Sequence, residues 1–305
     1  VRLVGSEMCI RDSIYGLTVL MCAALAERAS LVILPKFEPA TFLQTLQDHH
    51  ITQAYVAPPL CVFLSKHPMV ADYNLSTLRE IFSGAAPLDA SMQISLREQL
   101  GVVVRQGYGM TETSPIISFA PAQPEKIMPG SAGLLAPNTS MKVVDENGIE
   151  LGPNEEGELL ISGPQVMRGY LNRPEATEAT LMRDGFIRTG DLARVSVDGN
   201  IFIGDRVKEL IKVKGFQVAP AELEGLLLSH PHVADACVVG IKDDYAGELP
   251  KAFVVRREGA QPDQESILSF LRPQLAQYKW PATVEFVESI PKSASGKILR
   301  RVLKG

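Results

Sequence analysis

The sequence has 305 residues, of which 46% are hydrophobic and 21% are charged, and its formal net charge is −5. This length suits about two domains with real cores, and the composition is typical of a globular chain rather than a disordered one. The negative charge gives no overall attraction to nucleic acid or anionic lipid, so no nucleic-acid partner is expected. The longest apolar stretch near the start, Ile14 to Leu25, is about half a membrane span, and no transmembrane segment is predicted.

The four cysteines, Cys9, Cys22, Cys61 and Cys237, show no CxxC spacing and no nearby histidine at metal-ligand spacing. They are therefore expected to be reduced and mostly buried thiols, which favours a cytoplasmic protein.

The first residues do not resemble the rest of the chain. Val1 is not a native translation start, and the stretch up to Ser13 lacks the apolar core of a secretion signal. Residues 1–13 are interpreted as a non-native junction. From Ile14 the pattern indicates an ordinary buried helix that runs into a buried strand.

Strands and helices then alternate. Predicted strands at 31–34, 51–57, 78–82 and 102–106 are separated by helices at 40–48, after Pro58-Pro59 and at 88–100. This alternation predicts a parallel sheet built from βα units. The Pro-rich stretch 120–130 ends this region.

Two further regions follow. Short strands and turns up to residue 203, including a hairpin with an Asp198-Gly199-Asn200 turn, predict a β-rich subdomain. Residues 209–305 carry strands and two helices, 221–230 and 264–277, and are predicted to form a small α+β domain. The fold class is therefore α/β: a large domain over 14–203, with its βα part to about 120 and its β-rich part at 121–203, a hinge at 204–208, and the small domain.

Two glycine-containing loops follow predicted parallel strands, where ligands enter open α/β sheets. In SGAAPL (83–88), small residues would let a flat ring lie close to the backbone, although a tight turn explains the loop equally well. In QGYGMTET (106–113), Thr111 can donate to a phosphate oxygen and Glu112 can hold a magnesium ion through a carboxylate oxygen. Helix capping is the competing role for Thr111.

Three later motifs carry charge. Asp191 in FIRTGD (186–191) can accept both hydrogens of a ribose diol or form an Asx-turn. In GDRVKELIKVKGFQVAPAELE (204–224), strand spacing would place Lys208, Lys212 and Lys214 on one face, either as a solvated face or as an anion site beside a hinge. In PKSASGKILRR, Lys297 follows Ser295-Gly296 and could deliver an ammonium group to a phosphate.

In their order and spacing, these five motifs resemble those of the adenylate-forming enzymes, and most closely 4-coumarate–CoA ligases and related acyl-CoA synthetases. The resemblance extends from Ile14 to the end of the chain and implies the C-terminal part of the large AMP-binding domain followed by the small one. It implies an acyl-CoA synthetase that uses a small carboxylic acid, ATP and CoA, with Mg²⁺. The carboxylate would attack the α-phosphate of ATP, and the CoA thiol would then attack the acyl-adenylate.

The resemblance also implies residue roles. Lys297, Lys212, Glu112 and Thr111 would be catalytic, with Glu112 also binding Mg²⁺ and Lys208 acting as the hinge. The nucleotide would be bound by Gly84, Ala85, Gln106, Gly107, Tyr108, Thr111, Asp191, Arg206, Gln217 and Lys297. The CoA arm would lie beside Lys214 and Gly215. The acyl pocket would be bordered by Tyr15, Ala85, Gly107, Pro115 and Ile116.

Two departures from the family pattern affect these expectations. The sequence contains no Gly- and Ser/Thr-rich phosphate loop ending in Pro-Lys-Gly, and Ser13 stands where the family has a histidine, so a truncated and catalytically incompetent chain is expected. Phe82 replaces the lysine of the plant ligases, which leaves the acyl group open between hydroxycinnamates, fatty acids and other aryl acids. A fragment that only binds AMP or CoA and a carrier-protein-loading adenylation domain remain alternatives. Self-association through uncovered apolar surface is also expected.

Overall fold

The computed structural model describes residues 2–6, 13–35, 37–292 and 298–303. The chain forms two compact units that divide between Ile203 and Gly204, called unit 1 and unit 2 below. None of the helices within the described ranges has both the length and the apolar character needed to cross a membrane. The hinge predicted at 204–208 and the domain limits remain predictions.

Unit 1 contains a seven-stranded sheet in the order β2-β1-β3-β4-β5-β6-β7. The first five strands are parallel, whereas β6 and β7 add to the edge in antiparallel fashion. The strands are β1 (Arg2–Ser6), β2 (Ser30–Leu34), β3 (Gln53–Val56), β4 (Glu80–Ser83), β5 (Val103–Gly109), β6 (Ile116–Phe119) and β7 (Leu134–Leu135). The predicted parallel βα sheet is thus confirmed.

Three helices connect the parallel strands: Pro39–Asp48, Pro58–Lys66 and Ala90–Leu100. Two of them start with proline, whose fixed φ suits the first turn. The third is capped by the Asp89 side chain and ends at Gly101, which has a φ of +65°. Their apolar faces bury Leu43, Leu64 and Leu96 against the sheet.

The start of unit 1 differs from the prediction in two ways. Residues 2–6 form β1, which pairs with both β2 and β3 and buries Leu3, although no strand was predicted there. The expected buried helix is a π-helix over Tyr15–Cys22 that continues as an α-helix over Ala23–Ala26, and much of it is exposed, with Leu25 at 69%. Its sequence is apolar on all sides, but only one side packs against the protein. The interpretation of residues 1–13 as a junction remains a prediction.

The β-rich part of unit 1 is an antiparallel sheet in the order β11-β10-β9-β8. Its strands are β8 (Ser140–Val144), β9 (Glu156–Ser162), β10 (Ile187–Val195) and β11 (Ile201–Arg206), and a short helix, Pro174–Thr180, precedes β10. The predicted β10–β11 hairpin is present: the Ser196 N–H donates to the Asn200 carbonyl at 2.9 Å, and Gly199 has a φ of +80°.

Unit 2 is an α+β unit with strand order β13-β12-β15-β14 and with β16 parallel to β15. Its strands are β12 (Ile211–Val213), β13 (Phe216–Val218), β14 (Val233–Asp243), β15 (Gly247–Arg256) and β16 (Thr283–Phe286), and its helices are Pro220–Ser229, Gln264–Leu271 and Arg300–Leu303. The helix predicted over 264–277 is therefore too long. It ends at Leu271 because Pro273 cannot continue the α-helical hydrogen bonding.

Candidate functional site

The loops after β4 and β5 lie side by side in unit 1. These strands are parallel neighbours, and Ser83 at the end of β4 pairs with Gln106, so the loop after β4 lies beside the last residues of β5. The segment 106–113 was predicted as a loop after a strand, but β5 continues to Gly109, so only residues 110–113 of QGYGMTET follow the strand.

Gln106 holds these loops together from inside. Gln106 is 3% exposed. Its Oε1 accepts from the Leu88 N–H at 2.8 Å. Its Nε2 donates to the Leu88 carbonyl at 2.9 Å and to Gln93 Oε1 at 3.0 Å. The amide therefore fastens loop 83–88 to β5 instead of facing solvent. The nucleotide contact of Gln106 remains a prediction.

Aromatic rings fill the space beside the glycines of both loops. The Tyr15 hydroxyl donates to the Phe82 carbonyl at 3.3 Å, and a Cβ atom on Gly84 would lie 3.0 Å from Tyr15 Cζ. A Cβ on Gly107 would lie 2.7 Å from Phe82 Cζ, so only glycine permits this packing. Ala85 is exposed with a φ of +72°, and thus presents backbone at the mouth of the loop.

Asp191 and Tyr108 join the β-rich part to the end of β5. The Tyr108 hydroxyl donates to Asp191 Oδ2 at 2.5 Å, and Asp191 is 6% exposed. Asp191 lies within β10, where the pairing with β9 shifts register, after Gly190 at a φ of +68°. The carboxylate of Asp191 is thus tied to a side chain 83 residues away, and its ribose-binding role remains a prediction.

Glu112 and Thr111 lie in a 3-10 turn over Thr111–Thr113. Glu112 Oε1 accepts from the Tyr170 hydroxyl at 2.6 Å, and the Glu112 carbonyl accepts from the Met167 N–H at 2.8 Å. Thr111 is exposed and is not the capping residue, a position that Met110 occupies. Tyr170 had no periodicity or motif signal in the sequence.

The Glu112 carboxylate is suited to bind a magnesium ion whose other ligands come from a phosphate and water. No group of three His, Cys, Asp or Glu side chains that could hold a metal occurs among the residues whose placement is described. Mg²⁺ is commonly held by one or two carboxylates plus substrate phosphates and water, and the half-buried Glu112 carboxylate suits that role.

Pro115 and Ile116 stabilise the same turn. The buried Pro115 carbonyl accepts from the Met110 N–H at 2.9 Å and from Thr113 Oγ1 at 2.7 Å, and Ile116 opens β6. A Cβ on Gly109 would lie 2.0 Å from the Pro115 oxygen. Glycine at 109 is therefore needed for the close approach of the two chain segments.

The predicted residues of unit 2 lie on and around the β12–β13 hairpin. Lys212 and Gln217 are directly opposite each other across the two strands, and both are exposed. Lys214 and Gly215 form the turn, with φ values of +50° and +84°. Lys208 lies in a 3-10 turn over Val207–Glu209. The expectation that Lys208, Lys212 and Lys214 share a strand face is therefore wrong, since only Lys212 lies in a strand.

Aromatic side chains that were not predicted surround this hairpin. Lys214 Nζ lies 4.5 Å from the centre of the Tyr245 ring, and the Phe216 and Tyr278 rings stack with centroids 4.5 Å apart. Arg206 is exposed at the end of β11. Lys297 lies outside the described residues.

The two buried thiols do not supply a nucleophile near neutral pH. Cys22, Cys61 and Cys237 are free, and the latter two are buried, as expected for reduced thiols. Burial raises the pKa of both Cys61 and Cys237 to about 12. A buried thiol with so high a pKa stays protonated and inert.

Comparisons with known proteins agree with this architecture. The family model described as AMP-binding enzyme matches residues 13–171, more than half of the chain, and the AMP-binding enzyme C-terminal domain matches residues 222–297. The chain is 49% identical over 292 residues to 4-coumarate–CoA ligase 2 of Oryza sativa subsp. japonica, covering 94% of the chain and 51% of that protein. It is 45% identical to probable 4-coumarate–CoA ligase 1 of Dictyostelium discoideum, covering 95% of the chain and 53% of that protein. The chain thus spans about half the length of these relatives.

Solved structures give the same result. ATP-bound MatB from Rhodopseudomonas palustris superposes with a TM-score of 0.90 at 32% identity, covering 99% of this chain and 59% of that one. The O-succinylbenzoate coenzyme A synthetase MenE from Bacillus subtilis, in complex with ATP and a magnesium ion, superposes with a TM-score of 0.84 at 30% identity, covering 100% of this chain and 61% of that one. On its α/β architecture, its paired loops and these matches, the chain belongs to the AMP-binding enzyme family of adenylate-forming enzymes.

Proposed function

We propose that the protein containing this chain is an ATP-dependent acyl-CoA synthetase, which converts a small carboxylic acid, ATP and CoA to acyl-CoA, AMP and pyrophosphate. The observation that carries the proposal is a pair of hydrogen bonds, Tyr108 to Asp191 at the end of β5 and Tyr170 to Glu112 in the turn that follows it, in a chain whose relatives are named CoA ligases. Asp191, oriented by the Tyr108 hydroxyl, can bind the ribose of a nucleoside triphosphate, and Glu112 can bind the metal ion that accompanies its phosphates.

Adenylation is the first proposed step. The substrate carboxylate attacks the α-phosphorus of ATP, a new P–O bond forms, and the bond to pyrophosphate breaks. Asp191, oriented by Tyr108, accepts the ribose hydroxyls, and the exposed Thr111 donates to a phosphate oxygen. Glu112 would hold a Mg²⁺ ion, and the bound ion would supply positive charge against the charge that develops on the phosphates. Arg206 assists at the ribose, and Lys297 reaches the α-phosphate.

Thioester formation is the second proposed step. The CoA sulfur attacks the acyl carbon, a C–S bond forms, and the C–O bond to AMP breaks. Lys212 and Gln217, opposite each other on the hairpin, serve this arrangement, and the Lys214-Gly215 turn lies beside the CoA arm. The acyl group is bordered by Tyr15, Ala85, Gly107, Pro115 and Ile116.

ATP–pyrophosphate exchange with a panel of hydroxycinnamic, other aryl and fatty acids tests the proposal. The assay compares this 305-residue chain with the longest reading frame of the source genome that contains it. We expect carboxylate-dependent exchange from a protein that carries the Gly-rich phosphate loop, and negligible exchange from the chain by itself. The acid that gives the highest exchange identifies the substrate class.

Other results would favour the alternatives. Exchange by the 305-residue chain would contradict the requirement for the phosphate loop. Binding of AMP or CoA without exchange for any acid would favour a binding protein. Acyl transfer to a carrier protein in place of CoA would favour a carrier-loading domain.

We also propose that this chain self-associates in isolation. Four large apolar side chains near its start are exposed: Leu17, Leu25, Ile33 and Phe37. Apolar side chains exposed on a surface favour association. Sedimentation velocity should show species larger than a monomer that dissociate in Leu25→Glu, and a monomeric wild-type chain at all concentrations would contradict the proposal.

A further inference from the structure

The segment around Lys208 is attached to helix Pro220–Ser229 at two points. On the amino side, Asp205 Oδ2 accepts from the Ala221 N–H at 2.7 Å. On the carboxyl side, Glu209 is joined to the same helix through Arg300. Ala221 and Glu224 are three residues apart and thus on one face of the helix. The segment therefore runs along that face.

Arg300 forms the second attachment by bridging two carboxylates. Its Nη1 donates to Glu209 Oε2 at 2.6 Å, and its Nη2 donates to Glu224 Oε2 and Oε1 at 2.7 and 2.9 Å. The Arg300 and Glu224 side chains are only 15% and 10% exposed. A planar guanidinium with several donors fixes the relative position of such partners in a way that lysine does not.

Stability alone does not explain this arrangement. A buried ion pair gains little over well-packed apolar residues, because both charges lose their hydration. Arg300 Nε is also buried with no hydrogen-bond partner, which is a further cost. What the bridge does supply is geometry: it joins the turn Val207–Glu209, the helix Pro220–Ser229 and the terminal helix Arg300–Leu303.

We propose that Arg300 is a positioning residue that holds the turn Val207–Glu209 against helix Pro220–Ser229 and so fixes the position of the Lys208 backbone within unit 2. The proposal rests on the proposed function for its catalytic consequence, since Lys208 is the hinge only in an adenylate-forming enzyme. A loosened turn alters the balance of adenylation and thioester formation, and not merely the stability of unit 2.

Hydrogen exchange without substrates tests the positioning role. The Leu210 N–H donates to the Arg206 carbonyl at 3.2 Å across the turn, and its exchange reports on the turn directly. The variants are Arg300→Gln, Arg300→Lys and Glu209→Gln, and the control is Arg301→Gln, which removes the same charge from an exposed neighbour. We expect exchange at Leu210 to accelerate about tenfold in Arg300→Gln and Glu209→Gln, less in Arg300→Lys, and not in the control.

The two half-reactions are then measured in the complete enzyme. We expect Arg300→Gln and Glu209→Gln to change the ratio of adenylation to thioester formation at least threefold, with partial rescue by Arg300→Lys. If Arg300→Gln does not fold, the result for Glu209→Gln tests the proposal, because this variant keeps the hydrogen bonds between Arg300 and Glu224. Unchanged exchange at Leu210, or equal acceleration throughout unit 2, overturns the proposal. A wild-type enzyme without either half-reaction overturns the proposed function, whereas the exchange data still decide the role of Arg300.

Discussion

Replacing Asp205 by asparagine is expected to stabilise unit 2 more at about pH 8 than at about pH 5. Asp205 is 6% exposed and binds the Ala221 N–H at the start of helix Pro220–Ser229. Burial raises the pKa of Asp205 from 3.8 to about 6 and outweighs the lowering by the Ala221 hydrogen bond, with Glu224 and Glu209 adding to the rise and Arg300 opposing it. The charged carboxylate is thus costly in the folded state.

The sign follows from proton binding. The folded pKa is above the unfolded one, so the folded state holds the proton more tightly, and wild-type stability falls as the pH rises through the window from about 4 to about 6. The rise in the pKa of Asp205 from 3.8 to about 6 corresponds to a loss of about 3 kcal/mol in the free energy of unfolding over the whole window. About 1.4 kcal/mol of this is lost between about pH 5 and about pH 8. Asparagine keeps an acceptor oxygen, and its weaker hydrogen bond costs about 1 kcal/mol at every pH.

Urea unfolding followed by tryptophan fluorescence measures this effect, because the single tryptophan, Trp280, packs against the core of unit 2. The free energy of unfolding of Asp205→Asn minus that of the wild type should rise by about 1.4 kcal/mol between about pH 5 and about pH 8. The control Asp244→Asn makes the same charge change at an exposed position and should show no such rise. A difference for Asp205→Asn that is equal at both pH values would refute the reasoning.

Three further predictions concern the site. Gly109→Ala should lower the free energy of unfolding of unit 1 by about 1–3 kcal/mol in circular-dichroism urea titrations, because the new Cβ lies 2.0 Å from the Pro115 oxygen; an unchanged midpoint would show that this contact relaxes freely. Tyr108→Phe, which removes the donor to Asp191, should weaken AMP binding about tenfold by calorimetry, whereas the control Tyr73→Phe should not. Equal affinity of the wild type and both variants for AMP would show that Tyr108 does not contribute to the site. Lys297→Ala in the complete enzyme should cripple adenylation yet largely spare thioester formation from supplied acyl-adenylate, and equal loss of both half-reactions would argue against its role.

Local sequence pattern was sufficient for most of the fold. The helices Pro39–Asp48, Pro58–Lys66 and Ala90–Leu100 are marked by proline starts, an aspartate cap and a C-terminal glycine, and the strands between them are short apolar runs. Such signals act within a few residues, so they are readable without knowing the fold. The same locality explains the errors: β1 has little pattern of its own, and the helix after Gln264 was predicted past Pro273.

The site itself depended on tertiary structure. The order of the motifs identified the loops. It did not predict that the Tyr108 hydroxyl donates to Asp191, 83 residues later in the chain, or that Tyr170 donates to Glu112, 58 residues earlier. Glu224 carried a weak signal, as an acid on the apolar face of its helix beside Leu223 and Leu227, and its partner Arg300 is 76 residues away. Hydrogen bonds between side chains are set by where strands and loops converge, and convergence of segments distant in sequence leaves no local pattern. The sequence by itself therefore determined most of the elements, the family and the motifs. The packing of the sheet edge and of helix Pro220–Ser229 decided which of their side chains act together.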